Sequence, residues 1–113
     1  MSTDNLKVDP SKLLEDMYRD GYFPDFLVHK VRDVLLGAGR EIEAENPRSH
    51  EELYAITCRV TEKINELQDE FEDNESEIET AARDDIAMSF GYIAKINGFP
   101  DADLEELVAT RDW

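Results

Sequence analysis

Three amphipathic stripes with helical spacing, each followed by stop signals, limit what this chain can fold into. The stripes occupy residues 26–42, 53–71 and 78–96, and apolar side chains recur within each of them every three or four positions. That period places the apolar side chains on one face of an α-helix. Alternating patterns typical of strands are nearly absent. The sequence therefore predicts an all-α fold, a compact bundle of three long antiparallel helices with short N- and C-terminal helices.

The starts of the three long helices are marked by residues that prefer helix N-termini. Pro24 precedes the first stripe, and proline is favoured in the first turn of a helix. Ser49-x-x-Glu52 and Ser76-x-x-Glu79 have the spacing of capping boxes, in which the serine hydroxyl and the glutamate carboxylate accept bonds from backbone amides. We expect the second long helix to continue through its whole stripe and the third to open at Ser76.

Similar signals predict the short terminal helices. Asp9-Pro10 opens an N-terminal helix that Gly21 ends, and Asp101 or Asp103 opens a C-terminal one. The 113 residues are close to the commonest domain size, so residues 1–113 are expected to form a single helical domain. Residues 1–8 are expected to be a disordered N-terminus.

The charge balance narrows the classes of partner. Twenty-eight acidic and twelve basic residues give a net charge of −16. Nucleic acid and anionic membranes both require a basic surface, so neither is expected, whereas the charge leaves a basic protein partner open. No apolar run reaches the roughly 20 residues that cross a bilayer, and no secretory signal is recognisable. A cytoplasmic protein is therefore expected. No cofactor is expected, and the protein is either a monomer or a homodimer.

The single cysteine, Cys58, excludes an internal disulfide and a multi-cysteine metal site. It lies off the apolar stripe of its helix and has no basic neighbour in its turn to lower the thiol pKa. We predict a half-exposed structural thiol.

Residues 62–85 form an acidic run. Eleven carboxylates and two cations give this run nine of the sixteen net negative charges. Carboxylates spaced three and four apart on a helix repel one another, so helix stability does not explain them. They either form a solvated surface or bind a basic protein. In the second case the protein is a non-enzymatic binding module, immunity- or antitoxin-like, and the predicted contact residues are Glu62, Glu66, Asp69, Glu70 and Asp73.

The alternative interpretation is enzymatic. Paired carboxylate motifs hold Mg²⁺ in all-α nucleotide pyrophosphohydrolases of the MazG type. Here Glu66-x-x-Asp69 and Glu72-x-x-Glu75 have related spacing but the reversed order. On this hypothesis a metal-dependent hydrolase would use as ligands Glu62, Glu66, Asp69 and Glu79.

Asp85 is the one carboxylate of the run that turns inward on the helical wheel, and Ser89 lies one turn further along the same apolar face. A buried carboxylate is costly unless it is paired or hydrogen-bonded. Tyr18, Thr57 or Arg83 could supply the partner. Otherwise the pair marks a small polar pocket or a subunit contact.

Four segments carry a resemblance to a known family. They are residues 17–18 (MY) with 20–28 (DGYFPDFLV), 52–54 (ELY) with 61–68 (TEKINELQ), 76–83 (SEIETAAR) and 109–113 (ATRDW). With the residues around them they resemble a small bacterial family of unknown function, DUF5713, from about residue 14 to residue 113. The resemblance implies a compact single-domain bacterial protein. It carries no activity, substrate or catalytic residue.

Overall fold

A computed structural model describes residues 8–113, which form helices joined by turns and contain no β-strand. The predicted all-α class is confirmed, with three long helices (α2, α3 and α5) and short helices at and between their ends. A 3₁₀ turn at Pro10–Lys12 is followed by α1 (Glu15–Arg19), α2 (Asp25–Glu45), α3 (His50–Asn65), α4 (Gln68–Asp73), α5 (Thr80–Ile96) and α6 (Leu104–Leu107).

The long helices do not all pack on one another. Helix α2 packs mainly on α3, whereas α5 packs mainly on the short helices α1 and α6, and α6 also contacts α3. The short helices therefore join the α2–α3 pair to α5. One apolar core runs through all of these contacts, and its largest fully buried side chains are Phe71, Phe90, Leu13, Leu14, Met17, Leu27, Leu35, Leu53, Ile56, Ile64, Ile86 and Ile93.

The turn between α2 and α3 follows its sequence signals. Asn46 ends α2 in a left-handed conformation with φ of 49°. The Ser49 hydroxyl accepts a bond from the Glu52 amide, while a Glu52 carboxylate oxygen accepts one from the Arg48 amide at 2.8 Å. The first predicted capping box is therefore formed, with the carboxylate reaching one residue further back than the motif requires.

The second long stripe is not one helix. Helix α3 ends at Asn65, and α4 starts at Gln68. The Asn65 side chain bonds to the C-terminal segment, donating to the Thr110 carbonyl at 3.1 Å and accepting from the Asp112 amide at 3.1 Å. The helix thus ends where Asn65 binds this segment.

The second predicted capping box is wrong. Helix α5 begins at Thr80, after Glu79, and Ser76 lies outside it. The Ser76 amide donates to the Phe71 carbonyl at 2.8 Å, and its hydroxyl donates to the Tyr22 carbonyl at 3.2 Å. Because Ser76 closes the loop after α4, it is not available to cap α5. Within that loop Glu75 has a φ of 58°.

The predicted N-terminal helix is divided in two. Asp9 caps the 3₁₀ turn, accepting from the Ser11 amide, and Leu14 then takes a left-handed conformation with φ of 57°. This break lets two consecutive side chains, Leu13 and Leu14, both enter the core. Of the segment predicted to be disordered, residues 1–7 lie outside the described residues, whereas Val8 is buried.

The C-terminal helix starts at one of its two predicted positions. Asp103 is the N-cap of α6, and its carboxylate accepts from the Glu105 amide at 2.9 Å. Between residues 8 and 113 the structure has no helix with the length and apolar character needed to cross a membrane.

Candidate functional site

The acidic run lies mainly on the outside of the molecule. Glu62, Glu66, Asp69 and Asp73 are exposed at the end of α3 and along α4. Glu70 is half-buried and accepts a bond from the Lys30 ammonium group at 2.6 Å. It is the one carboxylate of the run in an ion pair with a described residue.

The structure does not gather the carboxylates of the enzymatic alternative. No three His, Cys, Asp or Glu side chains in the described part of the chain are arranged so that they could hold a metal ion. Glu62 and Glu66 lie at the end of α3, and Asp69 lies in α4, whereas Glu79 comes after the loop as the N-cap of α5. The predicted ligand set is therefore spread over several elements.

A groove of about 410 Å³, which was not predicted, is lined mainly by residues of the acidic run. Its walls are formed by Tyr22, Glu72, Glu75, Ser76 and Glu77. Tyr22 is 41% exposed. The groove therefore combines one accessible aromatic ring with three exposed carboxylates.

One contact holds the Tyr22 ring at this groove, and another holds its backbone. The ring packs edge-on against the buried Phe23, with ring centroids 5.0 Å apart, and the Tyr22 carbonyl accepts the Ser76 hydroxyl bond. Partial burial raises the pKa of the Tyr22 hydroxyl, and the nearby carboxylates of Glu77 and Glu79 raise it further. The ring thus lies in a negative local field.

The buried polar pair on α5, Asp85 and Ser89, accepts hydrogen bonds from backbone amides of the N-terminal segment. An Asp85 carboxylate oxygen accepts a bond from the Met17 amide at 3.0 Å, and the Ser89 hydroxyl accepts one from the Leu14 amide at 3.1 Å. Helix α1 has no side-chain cap of its own. Asp85 and Ser89 therefore cap α1 from another helix, because they accept bonds from amides at its start.

The partners suggested for Asp85 by sequence are engaged elsewhere. The Tyr18 hydroxyl bonds to His29, the Thr57 hydroxyl donates to the Tyr54 carbonyl, and Arg83 donates to the Thr80 hydroxyl. A small cleft of about 230 Å³ also opens beside Asp85 and Ser89, lined in part by Lys12 and Tyr92.

Burial raises the pKa of Asp85. The hydrogen bond that its carboxylate accepts from the Met17 amide partly opposes this increase, whereas the nearby carboxylates of Asp16 and Glu15 add to it. In the pH window between the unfolded value near 3.8 and the raised folded value, the native state binds more protons than the unfolded state. The contribution of Asp85 to stability should therefore increase as the pH falls through this window, and level off below it.

We predict that the free energy of unfolding of the natural chain, relative to Asp85→Asn, increases as the pH is lowered from 7 toward 4. Urea denaturation of both proteins at several pH values measures this difference. The pKa values of Asp9 and Asp101 are lowered, by the Ser11 and His50 side chains, and both proteins share these effects. A difference that stays constant with pH, or shrinks on acidification, would contradict the raised Asp85 pKa.

Cys58 is partly exposed and unpaired, and its thiol lies 3.6 Å from the Glu106 carbonyl oxygen. The two histidines are engaged in local contacts. His29 bonds to the Tyr18 hydroxyl, and the His50 ring lies 3.0 Å from the Asp101 carboxylate. These contacts join neighbouring elements of the fold.

These features define an acidic all-α protein whose exposed carboxylates adjoin an aromatic groove. The chain matches the family of unknown function DUF5713 over residues 7–113, and it belongs to that family. No curated protein and no solved structure matches the chain.

Proposed function

We propose that this protein is a non-enzymatic binding module that holds a basic segment of another protein against its acidic surface. We define the acidic surface as Glu62, Glu66, Asp69, Glu70 and Asp73 together with the neighbouring groove. The observation that carries the proposal is the composition of the groove, in which Tyr22 lies beside Glu72, Glu75 and Glu77. An immunity- or antitoxin-like protein that covers a basic enzyme would work in this way.

The chemistry of the groove suits the side chain of an arginine or lysine. A guanidinium or ammonium group over an accessible tyrosine ring is attracted by the ring face. Carboxylates beside the ring can accept charge-assisted hydrogen bonds from the same cation. The groove volume of about 410 Å³ can hold such a side chain.

The rest of the acidic surface would act at longer range. Exposed charges of one sign attract an oppositely charged partner and speed its association, and this effect weakens as salt screens the charges. Within residues 8–113 the carboxylates of the run form one ion pair, between Glu70 and Lys30. Most of the run thus keeps its charge available to a partner.

An exposed aromatic side chain next to the surface supports the same proposal. Phe26, in the first turn of α2, is 49% exposed. Phe26 lies one helical turn before Lys30, and the Lys30 ammonium group donates a hydrogen bond to Glu70 on α4. Protein interfaces typically combine aromatic anchors with a charged rim, and Phe26 and Tyr22 provide two such anchors near the carboxylates.

We predict that a fluorescein-labelled eight-residue peptide of lysine and arginine binds the full chain, with an affinity that falls as salt increases. The Glu77→Lys and Tyr22→Ala variants should each weaken binding about tenfold, which corresponds to about 1.4 kcal/mol. Fluorescence anisotropy at low and physiological ionic strength measures the dissociation constants.

Glu51→Lys is the matched control, because Glu51 is exposed at the start of α3 and the substitution changes net charge by the same amount. It should weaken binding no more than about twofold. Equal losses for Glu77→Lys and Glu51→Lys would show that net charge alone attracts the peptide. That result would overturn the proposal that the groove is the binding site.

A further inference from the structure

A second groove, of about 420 Å³, carries positive charge in this strongly acidic chain. It is formed between the N-terminal segment and α2, and its walls include Leu13, Glu15, Tyr18, Arg19 and Arg32. Its two arginines are a local exception to the net charge of −16. Because exposed charges are screened beyond about 10 Å, these neighbouring groups decide what the groove attracts.

Arg32 is held in place without a counter-ion. It forms no ion pair with any residue between 8 and 113, and its buried Nε atom has no hydrogen-bond partner there. The guanidinium carbon lies 5.7 Å from the centre of the Tyr18 ring. The Tyr18 hydroxyl in turn bonds to the Nδ1 atom of His29 at 2.5 Å. A partly buried cation that stacks on a fixed ring is preorganised to bind an anion.

Arg19 adds a second cation that can turn toward the groove. Its guanidinium lies 3.6 Å from the Asp16 carboxylate, and the two side chains are 75% and 78% exposed. An exposed pair of this kind has a small net interaction energy. Arg19 can therefore exchange Asp16 for an anionic ligand at little cost.

The other walls define the class of ligand. The exposed Pro10 ring and the partly exposed Tyr18 ring provide apolar surface, so the ligand should have an apolar body beside its charged group. Glu15 places a carboxylate at the same groove, and this charge disfavours a dianion more than a monoanion. We infer that the groove binds a small organic monocarboxylate, with Arg32 as the main anchor and Arg19 as the second.

The probes are benzoate and hexanoate, with benzyl alcohol as the uncharged analogue and phenyl phosphate as the dianion. We expect either carboxylate to shift the backbone NMR signals of residues 10–19 and 32 in the full chain. The two other compounds should cause little shift. Replacing Glu15 by glutamine should increase binding of phenyl phosphate.

Arg32→Gln is expected to weaken carboxylate binding about tenfold, the effect of losing one charge-assisted contact. Arg40→Gln is the matched control, since Arg40 is an exposed arginine on the same helix, and it should leave binding unchanged. If Arg32→Gln does not fold, Arg19→Gln tests the same groove from an exposed position and should weaken binding about threefold.

The inference is overturned if neither carboxylate binds, if benzyl alcohol binds as tightly as benzoate, or if Arg40→Gln weakens binding as much as the groove variants. None of these results depends on whether the acidic surface binds a basic peptide.

Discussion

Replacing Asp85 with alanine is expected to lower the free energy of unfolding by about 2 kcal/mol. The substitution removes the acceptor for the Met17 amide, which lies in the buried contact between α1 and α5. A buried amide without a partner retains its full desolvation cost. Urea denaturation at pH 7 measures the change, and hydrogen exchange of the Met17 amide locates it.

Asp84→Ala is the control for this experiment, because Asp84 is the exposed neighbour of Asp85 on the same helix. It should change stability by no more than about 0.5 kcal/mol. Asp85→Asn keeps an acceptor oxygen and should cost less than Asp85→Ala, while Ser89→Ala should cost about 1 kcal/mol. Equal effects of Asp84→Ala and Asp85→Ala would show that the inter-helix cap contributes nothing to stability.

Replacing Phe71 with alanine is expected to have the largest effect, a loss of about 4 kcal/mol. Phe71 is the buried residue of α4. Its carbonyl accepts a hydrogen bond from the Ser76 amide, and this bond closes the following loop. The cavity left by the ring would loosen both α4 and the loop, and with them the acidic surface. Urea denaturation followed by circular dichroism measures the loss.

Phe26→Ala is the matched control for Phe71→Ala, because it removes the same atoms from a side chain that is 49% exposed. We expect it to cost less than about 1.5 kcal/mol. Similar costs for the two variants would mean that α4 is not packed against the core as the structure shows.

The long helices could be predicted from sequence because their signals are local. Apolar spacing and the Ser49–Glu52 box depend on residues within a few turns. The break after Asn65 could not be predicted, since the groups that bind its side chain are at Thr110 and Asp112. The capping box at Ser76 failed for a related reason, because a distant backbone carbonyl, that of Tyr22, accepts the serine hydroxyl bond. Long-range contacts thus override local signals at these positions.

The candidate sites show the same division. The helical wheel predicted that Asp85 turns inward, and it is buried. The wheel could not identify its hydrogen-bond partner, because that partner is the backbone amide of Met17, and a backbone amide does not depend on the type of residue. Neither groove was predicted, since the residues that line each groove come from different elements of the fold. No sequence pattern indicates that Tyr22 lies beside Glu72 and Glu77, or that Arg32 lies beside Leu13, because these residues belong to different elements.

Glu75 shows that stability and surface charge favour different residues at one position. Its backbone, with φ of 58°, has a conformation that glycine adopts freely and that costs other residues about 1 kcal/mol. Local energetics alone would favour glycine in this loop. Glutamate at this position gives up that stability and supplies one of the three carboxylates beside Tyr22. At Glu75 the loop therefore has a lower thermodynamic stability than glycine would give it, together with an additional negative charge beside the groove.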